Sequence, residues 1–249
     1  MRLRRNTWKI GDESVYFGND FIDDFVIKIS LAVDFDNDIV YNIFELVLRG
    51  DQMEYMAELA AIAREHGGII ETKTAAAHGI SKAMLHKLCM ENRIQRIVQG
   101  QYILPEDMQD ELLSISKRTE KIIFSHETAL FLHGISDRTP FVHTITVPSD
   151  YTPSAAIKQA CKIYYIKPEL FHLGRTMLNT PAGNEVPVYD LERTVCDIIR
   201  SRNKVGTETF LAALKLYAAN PKKDLNKLHS YAKKLRVANV LRQYLEVLL

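Results

Sequence analysis

The clearest hydrophobic periodicity along the chain lies in residues 51–105. Apolar positions recur every three or four residues over 51–66, which predicts an amphipathic helix. The pair Gly67-Gly68 provides a stop, because glycine readily adopts the left-handed conformation that ends helices. Further along, two short β-rich segments, 94–99 and 101–104, flank a single glycine. They predict a two-stranded ribbon.

Two shorter helices are predicted between these elements. Thr72 or Thr74 is a candidate N-cap for a helix over 75–78, and Ser81 for a third helix. A single glycine turns the chain between the two helices. The order of helix, short helix, tight turn, helix and ribbon predicts a winged helix-turn-helix over 51–105.

The third helix places two kinds of residue on opposite sides. At about 100° per residue its apolar side chains gather on one face, and the other face carries lysines and a histidine. Residues 73–104 contain five bases and one acid, a net charge of +4, which favours contact with phosphates. The alternative is a winged helix used for protein contacts, with a solvated basic face. The residues expected to bind DNA are Lys73, Thr74, Ser81, Lys82, His86, Lys87, Arg93, Arg96 and Gln99.

Beyond a polar link with an amphipathic piece, short strands alternate with helices from residue 120. The predicted strands are 141–147, 163–166 and 186–189. Ser125 and Asp190 stand where N-caps belong, each before an apolar helical segment. The chain is therefore expected to be α+β, an N-terminal winged helix-turn-helix followed by a mixed α/β C-terminal domain with a small sheet and a helical C-terminus. The expected domains are an acidic N-terminal extension, 1–50; a DNA-binding domain, 51–105; and a C-terminal domain, 120–249.

The net charge of +1 conceals an uneven distribution. Residues 1–52 carry ten acids and six bases, whereas 200–249 carry eleven bases and three acids. Such a run is usually a solvated face, but in a DNA-binding chain it is also a candidate for a second surface that follows phosphates, or that meets RNA or an acidic partner. The candidate residues of this second basic surface are Lys222, Lys223, Lys227, Lys233, Lys234 and Arg236.

Several protein classes are excluded by what the sequence does not contain. No apolar run approaches the roughly 20 residues that span a bilayer, and no apolar segment follows the basic N-terminus as in a secretory signal. Cys89, Cys161 and Cys196 have no zinc spacing, which favours free buried thiols in a reducing cytoplasm. The common phosphate-loop, dinucleotide and hydrolase motifs are missing. We expect a cytoplasmic protein with no cofactor, no metal and no membrane partner.

The acidic extension contains one motif for calcium. Asp34, Asp36, Asp38, Asn42 and Glu45 occupy the ligand positions of an EF-hand loop. The sixth position of that loop, however, requires a glycine for its sharp turn, and here it is a β-branched isoleucine. The alternatives are a calcium loop and a solvated acidic turn, and the missing glycine favours the turn.

An enzyme hypothesis has to be weighed against structural roles for the same side chains. A nucleophile, a base and an electrostatic clamp could be assembled from Ser125, His126, Glu127, Glu192, Arg193 and Asp197. Ser125, however, stands where a helix cap belongs. Arg193 and Asp197 are four residues apart, the spacing of an ion pair within one helix. The structural interpretation is favoured, so no catalytic residue is expected.

Three places in the chain together resemble the AbiEi-like antitoxins of bacterial abortive-infection (type IV) toxin–antitoxin systems. The first is the helix from Gly79 to Lys87 with the ribbon that follows it. The second is the segment 125–136, Ser-His-Glu to Gly-Ile-Ser, and the third is Tyr189-Asp-Leu-Glu-Arg-Thr-Val-Cys-Asp197. The resemblance covers about residues 53–249. Residues 1–50 fall outside it, and we hypothesise that they are an extension upstream of the family pattern.

The resemblance implies a function that the residues alone do not give. It implies an N-terminal domain that binds DNA and represses its own operon, and a C-terminal domain needed for antitoxin action. We expect the DNA to be a double-stranded operator with an inverted repeat. The resemblance also implies a functional partner, a nucleotidyltransferase-like toxin, which is counteracted without a stable complex. The alternatives are a generic winged-helix transcriptional regulator and a catalytic antitoxin that modifies its toxin.

Overall fold

The computed structural model describes residues 7–10, 13–16, 53–136 and 139–248. The chain divides into two compact units, 1–58 and 59–249. In the first unit, β1 (Thr7–Ile10) and β2 (Glu13–Tyr16) pair as antiparallel strands. The candidate calcium loop from Asp34 to Glu45 lies outside the described residues.

The second unit begins with a group of short elements, residues 59–103, which we call the helix–hairpin lobe. Its elements are α1 (53–65, of which 59–65 belong to this unit), β3 (Ile70–Glu71), α2 (Thr72–Ala77), α3 (Lys82–Met90), β4 (Gln95–Val98) and β5 (Gln101–Ile103). Strand β5 lies between β3 and β4, and both pairings are antiparallel. The predicted two-stranded ribbon is therefore one strand short, because a two-residue strand is too brief for alternation to reveal.

Helix caps in this lobe agree with the sequence prediction at one position and differ at another. Ser81 caps α3 as predicted, since its Oγ accepts a hydrogen bond from the Met84 amide at 3.1 Å. Helix α2, in contrast, starts at Thr72 with Glu71 as N-cap, and no side chain caps it. The Thr72 hydroxyl instead donates to the Gly100 carbonyl at 3.2 Å, so neither predicted threonine is a cap.

The rest of the second unit, residues 111–248, surrounds a five-stranded sheet, and we call it the sheet lobe. Its elements are α4 (Glu111–Ser116), β6 (Ile123–Phe124), α5 (His126–Leu132), β7 (His143–Pro148), α6 (Ala155–Ala160), β8 (Cys161–Ile166), α7 (Pro168–Phe171), β9 (Arg175–Asn179), β10 (Glu185–Tyr189), α8 (Leu191–Arg200), α9 (Thr207–Ala219), α10 (Leu225–Lys234) and α11 (Ala238–Leu248). The strand order is β8-β7-β6-β10-β9. β7 with β8 and β6 with β10 are parallel, and the other pairs are antiparallel. The fold is thus mixed α/β, with a sheet that includes all three predicted strands and two that the sequence did not reveal.

Helices cover both faces of this sheet. Successive residues of a strand point to opposite faces, and Ile123 and Phe124 belong to different core clusters, as do Val188 and Tyr189. One cluster joins the sheet to α8, α9 and α10, and the other joins it to α4 and α6. The segment after 105 therefore includes a helix buried against the sheet, where the sequence suggested a polar link with an amphipathic piece.

Candidate nucleic-acid interface

The connection between α2 and α3 is a tight turn built around Gly79. Its φ is +80°, and an added Cβ would meet nothing within 4 Å, so the backbone conformation alone favours glycine here. After the turn, the Ile80 amide donates to the Ala75 carbonyl at 2.9 Å, and the Ile80 side chain is fully buried. The turn thus fixes the direction in which α3 leaves α2.

Helix α3 presents a cationic face to solvent. Leu85 and Leu88 are fully buried on one side, while Lys82, His86 and Lys87 are exposed. The first turn of α3 contains no acid. Since the N-terminus of a helix also carries partial positive charge, the start of α3 suits an anion such as a phosphate.

The hairpin that follows α3 is short, and its tip is hydrogen-bonded to the start of α2. β4 and β5 are joined by Gln99 and Gly100, and Gly100 has φ +83°. The Gly100 carbonyl accepts from the Thr72 amide at 2.9 Å, as well as from the Thr72 hydroxyl. Arg96 is exposed on β4, and its Nε donates to the Val98 carbonyl at 3.4 Å. A DNA contact from this hairpin would therefore come from Gln99 and Arg96, close to the body of the lobe.

The structure places the remaining predicted DNA-binding residues in the same lobe. Lys73 is exposed and Thr74 half-buried on α2, and Ser81 is the exposed N-cap of α3. Arg93 is half-buried in the turn that follows α3. The nine candidates thus occupy α2, α3, β4, the turns between them and the turn of the hairpin.

The predicted second basic surface is divided by the structure. Lys222, Lys233, Lys234 and Arg236 are exposed. Lys223 is half-buried, and its Nζ donates to the Asn220 carbonyl at 3.5 Å. The other candidate, Lys227, belongs to a local network of acids.

Lys227 is held at the start of α8. Its Nζ lies 3.0 Å from Asp190 Oδ2 and 3.6 Å from Glu192 Oε2. Asp190 is also the N-cap that the sequence predicted, since its Oδ1 accepts from the Arg193 amide at 2.8 Å. Lys227 therefore joins α10 to α8, and its charge is neutralised locally.

The candidate nucleophile and base lie in the interior of the sheet lobe. Ser125 is fully buried and His126 is 2% exposed. His126 Nδ1 lies 3.0 Å from Ser125 Oγ, and Nε2 lies 3.0 Å from Ser201 Oγ. Thr146 donates to Ser125 at 2.8 Å, so the Ser125 hydroxyl is free to donate to Nδ1.

The His126 ring is also stacked and neutral. It lies on the Tyr164 ring with centroids 3.5 Å apart and planes 14° apart. Burial, with the positive charges of Lys162, Arg193 and Arg200, lowers the pKa of His126 to about 3. Ser125 occupies the N-cap position of α5 as predicted, but its side chain bonds to the histidine and Thr146 rather than capping the helix.

A buried ion pair organises helix α8. Arg193 Nε donates to Asp197 Oδ2 at 2.9 Å, with side-chain exposures of 0% and 4%, which confirms the predicted pairing. Arg193 Nη1 donates to the Leu170 and Leu173 carbonyls at 2.9 and 2.7 Å. The guanidinium lies 4.1 Å from the centroid of the Tyr189 ring. These contacts give the pair a structural role in joining α8 to α7 and to the turn after it.

The described residues include neither a cluster suited to a metal ion nor a helix suited to a membrane. Within that part of the chain, no group of three or more His, Cys, Asp or Glu side chains is placed to hold a metal ion. Across the same residues, no helix combines the length and apolar character needed to cross a membrane. The three cysteines are free thiols, with Cys161 and Cys196 buried and Cys89 half-buried.

Comparisons with known proteins support part of the sequence interpretation. Residues 57–105 match the family model described as "Transcriptional regulator, AbiEi antitoxin". The resemblance is confirmed over these residues, which include the first of the three places that suggested it. The matched range ends before the other two. No curated protein matches the chain.

A solved structure has a similar fold. The crystal structure of the RV2827C protein from Mycobacterium tuberculosis matches with a TM-score of 0.55 and 14% sequence identity, over 75% of this chain and 75% of that chain. At this identity the similarity concerns the fold alone.

Proposed function

We propose that the chain is an antitoxin of a type IV toxin–antitoxin (abortive phage infection) system and a DNA-binding autorepressor of its own operon. Its functional partner is a nucleotidyltransferase-like toxin, which it counteracts without a stable complex. The observation that carries the proposal is the exposed cationic face of α3, lying inside the residues that match the antitoxin family.

The DNA-binding part of the proposal treats residues 51–105 as a winged helix-turn-helix. In such folds the helix after the tight turn enters the major groove, and its first residues meet base edges. Lys82 and His86 stand near the start of α3 and are exposed, so we assign them to base contacts. The other cations of the lobe are assigned to phosphates, which position the protein without reading sequence.

Two chains on an inverted repeat fit this arrangement. One helix–hairpin lobe offers a small footprint with few phosphate contacts, and a hairpin tip tied to Thr72 adds little reach. Two copies on adjacent half-sites increase affinity through effective concentration, without new base contacts. The exposed cations of the sheet lobe, Lys222, Lys233 and Lys234, are proposed to follow the phosphates beside each half-site.

Protection from the toxin is assigned to residues 120–249. We propose that this part acts without catalysis. The support is that Ser125 and His126 are buried and hydrogen-bonded to each other, while Arg193 and Asp197 form a buried ion pair. Each of these four side chains makes buried contacts that stabilise the sheet lobe.

The proposal is tested with a variant that separates the two activities. In Lys82→Ala/Lys87→Ala both substitutions are on exposed positions of α3, so the fold should be preserved. We expect this variant to lose repression of a reporter placed behind its own promoter. It should still protect cells that express the neighbouring toxin. A matched control is Lys158→Ala/Lys167→Ala, which removes two exposed lysines of the sheet lobe.

Three outcomes would contradict the proposal. Full repression by a folded Lys82→Ala/Lys87→Ala variant would remove α3 as the DNA-binding surface. Equal loss of repression in the control would make net charge, rather than α3, the cause. Failure of the wild-type chain to protect against the toxin would remove the antitoxin function and favour a generic transcriptional regulator.

A further inference from the structure

Buried polar groups join the helix–hairpin lobe to the sheet lobe. Asp110 is 7% exposed and precedes α4; one of its carboxylate oxygens accepts from the Leu113 amide at 3.0 Å. The other oxygen accepts from the Thr180 hydroxyl and from Asn184 Nδ2, the latter at 2.9 Å. Asn184 Nδ2 also lies 3.5 Å from the Gly67 carbonyl, at the end of α1. Asp110 therefore joins α4 to the β9–β10 turn, and Asn184 connects that turn to the end of α1.

Gly67 brings the end of α1 into direct contact with this group. Its φ is +68°, and an added Cβ would lie 2.2 Å from Asn184 Oδ1 and 2.7 Å from Leu113 Cδ2. Contacts this short cannot be accommodated without moving one of the two lobes or the side chains between them. The positive φ favours glycine here, and any added side chain would displace the side chains of Asn184 and Leu113.

A second contact fixes the hairpin itself. Gln101 on β5 is 4% exposed, and both ends of its amide bond to one residue of α4. Its Nε2 donates to the Ser114 carbonyl at 3.2 Å, and its Oε1 accepts from Ser114 Oγ at 2.7 Å. Ile69, just before β3, completes the contact by packing in the core cluster that includes Leu113. We call these two contacts and Ile69 the junction.

We propose that the junction couples DNA binding to the sheet lobe, so that DNA held by α3 and the hairpin stabilises α4 and the β9–β10 turn. Rotating one lobe against the other would break both Gln101–Ser114 hydrogen bonds and the contact of Asn184 with the Gly67 carbonyl. Gln101 would then be buried without partners, which is unfavourable. The lobes therefore respond to DNA as one body. If bound DNA changes the affinity of the sheet lobe for a partner by some factor, the bound partner changes the affinity for DNA by that same factor. This inference rests on the DNA-binding function proposed above.

Hydrogen exchange of the full chain tests the coupling. The probe is a duplex covering the region upstream of the chain's own gene. In the wild type, we expect the duplex to slow exchange in 82–103, and also at least about fivefold in 110–116 and 180–184, the lower end of allosteric coupling. In Gly67→Ala the slowing should persist in 82–103 and be lost from the two sheet-lobe segments.

Two further variants separate coupling from backbone strain and misfolding. Gly134→Ala is the matched control, because Gly134 has φ +67° and open space around it, so it shares the strain without the contact. It should keep the wild-type exchange pattern. Gln101→Ala/Asn184→Ala removes both side chains that bridge the lobes without adding an atom, and should uncouple them even if Gly67→Ala folds poorly.

The outcomes that overturn the inference differ from those that overturn DNA binding. Slowing confined to 82–103 in the wild type would show that the lobes are independent. Unchanged slowing of 110–116 and 180–184 in folded Gln101→Ala/Asn184→Ala would show that the junction does not couple them. The absence of any DNA-dependent slowing in the wild type would instead contradict the proposed DNA-binding function, and the inference with it.

Discussion

Removing the carboxylate of the buried ion pair in α8 should strongly destabilise the sheet lobe. In Asp197→Ala, the fully buried Arg193 guanidinium keeps its two carbonyl partners but loses the charge that faces its Nε at 2.9 Å. Breaking a buried pair by deleting one partner costs about 3–5 kcal/mol. An exposed pair at the same helical spacing contributes only about 0.3–0.5 kcal/mol.

The expected loss is large enough to be measured by thermal unfolding. For a chain of about this size, each kcal/mol lowers Tm by about 2–4 °C, so Asp197→Ala should unfold about 6–20 °C below the wild type. Circular dichroism of both proteins at neutral pH gives the comparison. Lys162→Met is the matched control, because the Lys162–Glu127 pair has side-chain exposures of 42% and 22%. The control should lose less than about 1 kcal/mol.

A double variant tests the reason for the loss. Arg193→Met/Asp197→Ala removes both charges and keeps an unbranched apolar side chain, so it should recover much of the stability lost by Asp197→Ala. The reasoning would be refuted by an Asp197→Ala protein whose free energy of unfolding lies within about 1 kcal/mol of the wild-type value. It would also be refuted by a double variant less stable than the single one, which would mean that the unpaired charge is not the cause.

Three further predictions concern pH and DNA. Folding lowers the pKa of His126 from 6.5 to about 3, so between these pH values only the unfolded chain binds this proton. The free energy of unfolding should therefore fall by up to about 1.4 kcal/mol per pH unit as pH drops from 6.5 towards 3. In His126→Gln the free energy of unfolding, measured with urea at several pH values, should depend less steeply on pH. An equal pH dependence in the variant and the wild type would contradict the assignment. Charge reversal of Lys222, Lys233 and Lys234 should weaken operator binding without changing base preference; wild-type affinity would leave them as a solvated face. His86→Ala should reduce discrimination between operator bases by about 1–3 kcal/mol at one position, and a uniform loss across all sequences would assign His86 to phosphate instead.

Local signals along the chain predicted two of the helix caps correctly. Ser81 and Asp190 cap their helices because an N-cap bond closes within three residues, so the sequence contains both partners. The pairing of Arg193 with Asp197 lies within one helix turn and was equally visible. The cationic face of α3 followed from helical periodicity and the burial of its apolar side chains.

Contacts between distant segments could not be predicted in the same way. β3 and β6 have two residues each, and β6 pairs with strands that lie far along the chain. Lys227 looked like one more surface cation, but Asp190 and Glu192, more than thirty residues earlier, neutralise it. Gly67 was recognised as a helix stop, whereas its close approach to Asn184 depends on the folding of both lobes.

The central claim is tested most directly by titrating the upstream duplex with wild-type chain and Lys82→Ala/Lys87→Ala over a range of salt concentrations. For every phosphate that the variant no longer neutralises, the slope of log K against log salt should become shallower by about 0.9, and the affinity should fall at every salt concentration. The account predicts a shallower slope and weaker binding in the variant. A folded variant with the slope and affinity of the wild type would contradict it.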